Sequence, residues 1–227
     1  MARLLYKKFH QKSKTMKNLP RTNLSRTTAR TRRQILTVAA HLFQTEGYDR
    51  TSIDAIAEAA NKSKRSIYNH FDGKEDLFAA VIGEELNEVR CTLQPVFDRT
   101  ELPTADRMKQ YMIRRMEMLS ESSVYKQMLI NEVRHRIEPR FVDIRRLCNE
   151  FDDWEREQFK RMADEEQSHR SARSARFNSE AFADMTQMVL KSLDISFFVQ
   201  GRYAQYASTF DTFIEYIVEK LVENHKI

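Results

Sequence analysis

Hydrophobic residues recur every three or four positions along most of this 227-residue chain. That spacing is typical of helices that bury one face. It predicts an all-α protein with about nine helices, and the low content of 4 Gly and 4 Pro supports this. The predicted helices cover about residues 33–46, 53–60, 63–71, 74–94, 104–119, 122–136, 139–162, 179–199 and 203–224.

The most informative pattern lies in residues 51–71. Apolar residues at 53, 56, 57 and 60 form one face of a helix, whose first turn Ser52 or Thr51 can cap. Asn61 follows, and Asn tolerates the left-handed conformation that a tight turn needs. The helix that starts near Ser63 has only Ile67 and Phe71 to bury, and its other face is polar. Two short helices joined in this way predict a helix-turn-helix that enters the major groove of DNA.

The flanking residues extend the pattern. Gly47 supplies a stop for the preceding amphipathic helix, and Asp72 is expected to cap a long helix from Lys74, with Glu75 completing a capping box. In order and spacing, residues 30–90 resemble the DNA-binding domain of the tetracycline-repressor (TetR) family. The turn departs from the family pattern, because Asn61-Lys62 replaces the usual Gly-Val and Arg65 replaces a small residue.

The resemblance implies three regions: a basic flexible arm at 1–28, a helix-turn-helix DNA-binding domain at 29–90 with its motif at 52–71, and a larger helical regulatory and dimerisation domain at 91–227. It places four residues at base edges, namely Lys64, Arg65, Ser66 and Asn69. It places six others at phosphates, namely Thr51, Ser52, Lys62, Tyr68, His70 and Lys74. The alternative is an ordinary polar helix surface.

In the resembling family the last two helices pair with their copies, which implies a homodimer and therefore a palindromic operator in double-stranded DNA. The interface residues expected here are Phe182, Met185, Val189, Tyr206, Phe210, Phe213 and Ile217. The alternative is that these residues only complete the core of one protomer.

A small-molecule effector is also expected, because methionine adapts to varied apolar shapes. Its pocket would be lined by Met108, Tyr111, Met112, Met116, Met128, Arg134 and His135. Plain core packing is the alternative explanation of the methionines.

Charge is distributed unevenly along the chain. Residues 1–45 contain 11 basic and no acidic residues, whereas residues 75–227 contain 22 basic and 28 acidic residues. This asymmetry favours nucleic-acid binding at the N-terminal end of the chain. The basic arm is interpreted as a phosphate contact; a solvated tail, a true start at Met16 rather than Met1, and an organelle transit peptide remain alternatives.

Other function classes find little support. No run of residues is long and apolar enough for a membrane span, and Cys91 and Cys148 are not spaced as a metal clip or redox pair. We therefore expect a cytoplasmic, nucleoid-associated bacterial protein. Four isolated glycines form no phosphate-binding loop, so no cofactor is expected. Two Glu-x-x-His pairs, Glu132/His135 and Glu166/His169, leave a di-metal helical-bundle enzyme as an alternative.

Together these features predict a DNA-binding transcriptional regulator, and more specifically a repressor that an effector releases from its operator. A ligand-independent activator and an architectural DNA-binding protein are the alternatives within the same class.

Overall fold

The computed structural model describes residues 23–121, 126, 129, 142–168 and 178–223. Within these residues every regular element is a helix, as predicted. The α-helices are α1 (Asn23–Glu46), α2 (Ile53–Ala59), α3 (Lys64–Tyr68), α4 (Lys74–Phe97), α5 (Thr104–Glu121), α6 (Val142–Ser168), α7 (Ser179–Asp194) and α8 (Tyr203–Glu223). None of these helices is long and apolar enough to cross a membrane.

Helices α1 to α3 form an N-terminal head around one small apolar core. Helix α1 buries Ile35, Leu36, Ala39 and Phe43 against the other helices of the head. It begins at Asn23, ten residues before the predicted start, and so overlaps the end of the segment predicted to be a flexible arm. Residues 1–22 lie outside the described part of the chain.

Helix α4 connects the head with the rest of the protein. It packs against α1 at one end and against α5 and α6 further along. Pro95 is expected to end or kink this helix; it does not end it, because α4 continues to Phe97. Phe97 is completely buried between the rings of Tyr111 and Phe159, and these contacts hold the last turn although proline donates no backbone hydrogen bond.

Helices α5 to α8 form the body. Helix α6 packs against α4 and α7, and α5 packs against α4 and α8. The predicted helix at 122–136 falls mostly outside the described residues. Helix α6 ends at Ser168, within the segment 163–177 that was predicted to hold a helix end and an exposed loop, and Met162 and Ala163 are still buried near this end.

The predicted helix at 179–199 is two elements. Helix α7 ends at Asp194, and residues Ile195–Val199 form one turn of π-helix. In this turn the neighbouring residues Phe197 and Phe198 are both buried. Gly201 then adopts a left-handed φ of 69° and ends the segment, as predicted.

A buried ionic cluster connects three helices of the body. The guanidinium of Arg115 on α5 donates to Glu155 on α6 (Nε to Oε1, 2.5 Å) and to both carboxylate oxygens of Asp194 (2.7 and 3.0 Å). The hydroxyl of Tyr111 and the amide of Gln187 donate to the same Glu155 carboxylate. Burial opposes the charge on Arg115, but the carboxylates of Asp194 and Glu155 outweigh it and raise the pKa of the guanidinium.

We expect Arg115→Met to destabilise the protein by about 3–5 kcal/mol, because it leaves the Glu155 and Asp194 carboxylates buried without their cation. Urea unfolding followed by circular dichroism measures this loss. The matched control is Arg114→Met, since Arg114 is exposed and forms an ion pair with the exposed Glu117 one turn away. The control should stay within about 0.5 kcal/mol of the parent protein. Equal effects of the two substitutions would contradict the structural role of the cluster.

Candidate nucleic-acid interface

Helix α2 begins at a side-chain hydrogen bond that caps its first turn. The hydroxyl oxygen of Ser52 accepts from the backbone N–H of Ala55 at 3.1 Å. Of the two caps that the sequence allowed, the structure therefore uses Ser52. The buried side chains of Ile53, Ile56 and Ala57 then fix the face that α2 turns towards the core.

The turn between α2 and α3 depends on the backbone of Asn61. This residue has a φ of 51°, the only positive value of a non-glycine residue among the described part of the chain. Asparagine adopts this conformation at lower cost than other side chains, as the sequence predicted. The following N–H of Lys62 donates to the carbonyl of Ala57 at 2.9 Å, which closes the turn.

Helix α3 contains only five residues and is held from one side. Ser63 caps it, accepting from the N–H of Ser66 at 3.1 Å. Ile67 and Phe71 are buried in the core of the head, as predicted. The guanidinium of Arg32 on α1 lies over the ring of Phe71, 5.0 Å from its centroid. The polar side of α3 is thereby turned to the outside.

The structure brings together most of the residues predicted to contact DNA. Lys64, Arg65, Tyr68 and Asn69 are exposed, and Lys62, Ser66 and His70 are half-buried at the same surface. All seven lie on α3 or within two residues of it. These residues offer guanidinium, ammonium, amide, hydroxyl and imidazole groups within nine consecutive positions.

Lys64 already has a partner in this structure. Its ammonium lies 2.9 Å from one carboxylate oxygen of Asp54, on α2, and 3.0 Å from the other. The hydrogen bond to Asp54 and the charge of that carboxylate raise the pKa of Lys64. Sequence reasoning missed Asp54, because the ten-residue separation reflects the turn geometry and no helical period.

Thr51 is placed differently from the prediction. It is only 1% exposed, and its hydroxyl donates to the carbonyl of Gly47 at 2.8 Å. A phosphate cannot reach a hydroxyl buried in this way, so Thr51 is a structural residue. Its backbone N–H donates to the same carbonyl at 3.3 Å, so Thr51 closes the loop that follows α1.

Lys74 is also placed differently from the prediction. Its ammonium donates to the carbonyls of Tyr48 and Thr51, at 2.8 and 3.0 Å, and lies 4.2 Å from the centroid of the Tyr48 ring. The phenol of Tyr48 donates in turn to Glu75 at 2.9 Å. We call this set, Tyr48, Thr51, Lys74 and Glu75, the head clasp. It fastens the loop after α1 to the first turn of α4.

The prediction of a capping box at the start of α4 was wrong. Gly73 occupies the cap position, and no side chain caps the helix there. The N–H of Asp72 donates to the carboxylate of Asp76 at 3.0 Å, while Glu75 is committed to Tyr48. The acidic first turn still suits the positive end of the helix dipole.

Comparison with known proteins identifies the head. The sequence model of the family described as "Bacterial regulatory proteins, tetR family" matches residues 35–81. The head therefore contains a DNA-binding region of the TetR type. The transcriptional regulator AcrR of Shigella flexneri is 45% identical over 51 residues, which cover 22% of this chain and 24% of AcrR. The repressor DhaR of Mycobacterium sp. (strain GP1) is 26% identical over 88 residues, 39% of this chain and 44% of DhaR. The chain therefore spans less than half of these relatives.

Solved structures extend the likeness of fold beyond the head to more than four fifths of the chain. The reduced form of E. coli NemR superposes with a TM-score of 0.63 at 16% identity, over 84% of this chain and 96% of NemR. The fatty acid degradation regulator FadR of Bacillus halodurans gives a TM-score of 0.62 at 14% identity, over 82% and 96% of the two chains. At such identities the likeness concerns the fold of the body and leaves its ligand open.

The residues predicted for an effector pocket are largely interior. Met108, Met112 and Met116 are buried, and Tyr111 is bound to Glu155, so its hydroxyl has a structural partner. Met128, Arg134 and His135 lie outside the described residues. The same holds for Glu132 and His169 of the predicted di-metal pairs. Among the described residues no group of three or more possible ligands is arranged to hold a metal ion.

The residues predicted for a dimer interface fall into two groups. Met185, Val189, Tyr206 and Phe213 are exposed, and Phe182 is half-buried. Phe210 is buried in the protomer against Phe197, so its assignment to the interface was wrong. The side chain of Ile217 lies outside the described part.

We expect Lys74→Met to destabilise the head by about 1–2 kcal/mol, because the carbonyls of Tyr48 and Thr51 lose a charged donor. Thermal unfolding of the full chain measures the loss. Lys62→Met is the matched control: it removes the same charge from the surface of the head, and the melting temperature should hardly change. Unchanged stability of Lys74→Met would show that Lys74 is free to serve as a phosphate contact.

Proposed function

We propose that this protein is a transcriptional repressor that binds a palindromic operator in double-stranded DNA as a homodimer. The observation that supports it most is the outward face of α3. That face combines base-reading and phosphate-binding groups, while Ile67 and Phe71 anchor its back. A short helix held in this way fits the major groove, as in other helix-turn-helix proteins.

Arg65 and Asn69 are the proposed main base-reading residues. The guanidinium of an arginine can donate two hydrogen bonds to guanine, and the amide of an asparagine can pair with adenine. Lys64 and Ser66 are proposed to assist them at base edges. Ser52, Lys62, Tyr68 and His70 are proposed to contact phosphates, which fixes the position of the head on the duplex.

A homodimer is supported by the surface of the last two helices and the π-turn between them. Nine large hydrophobic residues are exposed among the described residues, and seven of them lie between 185 and 216. These seven are Met185, Met188, Val189, Ile195, Tyr206, Phe213 and Tyr216. An apolar surface of this kind marks an interface, and a two-fold pair of heads matches a palindrome.

Helix α4 is the proposed route of regulation. It packs on α1 of the head and on α5 and α6 of the body. A small-molecule effector that wedges the body helices apart, near the methionines of α5, would move α4 and change the distance between the two heads. DNA and effector would then weaken each other's binding by the same factor.

Repression is proposed because DhaR, one of the relatives, is named as a repressor. An activator would use the same contacts with DNA. Because the proposed partner is chromosomal DNA, the proposed location is the bacterial cytoplasm.

We expect Arg65→Ala and Asn69→Ala each to weaken binding to a selected operator by about 1–3 kcal/mol and to relax base preference at the position they read. Selection of bound fragments from random duplex DNA, followed by titration of the variants, measures both. Arg114→Ala on α5 and Asn87→Ala on α4 are controls, because they change the same side-chain types outside the helix-turn-helix. An equal loss on every sequence would contradict base reading, and a selected motif without two-fold symmetry would contradict the dimer.

We expect Met185→Glu to shift the protein from dimer to monomer, because it places a carboxylate within the apolar surface of α7. Sedimentation velocity measures the change in mass. Val142→Glu is the matched control, since Val142 is similarly exposed and lies on a different helix, at the start of α6. A protein that is monomeric before any substitution, or a Met185→Glu variant that stays dimeric, would overturn this interface.

A further inference from the structure

The ion pair between Lys64 and Asp54 is the feature that the proposed function leaves unexplained. Lys64 is the first residue of α3, and Asp54 lies in the first turn of α2. Both side chains are exposed, by 52% and 70%, and the ammonium contacts both carboxylate oxygens. A carboxylate therefore stands at the surface that is proposed to meet a polyanion.

The ion pair has little to offer the stability of the fold. Pairs exposed to water contribute little, because water screens the charges and both side chains lose conformational freedom. The apolar core of Ile56, Ile67 and Phe71 already holds α2 and α3 together. The effect of the pair is therefore expected in the contacts that Lys64 makes with DNA.

Asp54 singles out one cation of the interface. Within the part of the chain that the structure describes, Arg65 has no acidic side chain at ion-pair distance. Arg65 can thus contact any duplex directly, whereas Lys64 must first break its ion pair with Asp54. That carboxylate also repels nearby phosphates.

We propose that Asp54 is a specificity-determining residue of the DNA site: it holds Lys64 back from the phosphates of unselected duplexes. This inference rests on the proposed function. A free lysine at the start of α3 would attract every duplex equally, since phosphate attraction carries no sequence information. With Asp54 present, breaking the ion pair is favourable for the Lys64 ammonium only where base acceptors such as guanine O6 and N7 take the place of the carboxylate. Asp54 thus lowers non-specific affinity more than operator affinity.

The test is the Asp54→Asn substitution in the full chain, which keeps the shape of the side chain and removes its charge. Affinities for the selected operator and for a random duplex of the same length are measured over a range of salt concentrations. We expect the affinity for random duplex to rise, and its salt dependence to steepen by about 0.9 for each Lys64 that gains a phosphate. The ratio of operator to random affinity should fall.

Two further variants show whether Lys64 is responsible. Lys64→Met alone should weaken binding to random duplex, because it leaves the Asp54 carboxylate without its cation at the surface that meets the phosphates. In the Asp54→Asn background, Lys64→Met should abolish the gain. Glu58→Gln removes the same charge from the same helix without touching Lys64, and it should change the salt dependence much less. Melting temperatures of all variants confirm that the head stays folded.

The outcomes separate two failures. If Asp54→Asn leaves the ratio of affinities unchanged, or if Glu58→Gln has an equal effect, the inference is overturned while the proposed function stands. If the parent protein shows no preference among duplexes at low salt, the proposed function itself fails.

Discussion

Helix α3 is too short to exist on its own, and the DNA-binding surface depends on how it is held. An isolated helix needs about 12–15 residues to be even marginally stable in water, and α3 has five. Its shape therefore comes from the burial of Ile67 and Phe71 and from the left-handed turn at Asn61. Because both apolar residues face the core, the other side chains of the helix lie at the surface, with Ser66 half-buried and Lys64, Arg65 and Tyr68 exposed. One packing constraint thus produces the polar face.

The head is fastened to α4 by polar contacts as well as by its core. The head clasp joins the loop after α1 to the first turn of α4 through the ammonium of Lys74 and the phenol of Tyr48. At the far end of α4, Phe97 is locked among aromatic rings of the body. Near that end, the Arg115 cluster joins α5, α6 and the end of α7. A displacement within the body therefore has a continuous path of packed contacts to the head.

Periodicity and turn chemistry made much of this structure predictable from the sequence. The helical periods located nearly every described helix, and Asn61 and Ser52 act as their side-chain chemistry predicts. The hydrogen bonds of Lys74 and Thr51 were not predictable, because a family pattern records which residue occupies a position, while the direction of its donors depends on neighbouring carbonyls. Phe210 shares a helical stripe with Phe213, yet it is buried and Phe213 is exposed. When an apolar helical stripe is wide enough to face both the protomer core and a second protomer, the sequence does not show which of its residues face which. The pairing of Asp54 with Lys64 arises only when the turn is folded.

The central claim is that the polar face of α3 enters a duplex groove while its apolar back stays in the core. Hydrogen–deuterium exchange of the full chain, with and without a duplex enriched from random DNA, tests it most directly. The result predicted is slower exchange of backbone amides in residues 61–71 and at the start of α4 when the enriched duplex is bound, with little change for a scrambled duplex. Protection confined to the body, or faster exchange at Ile67 and Phe71, would contradict it.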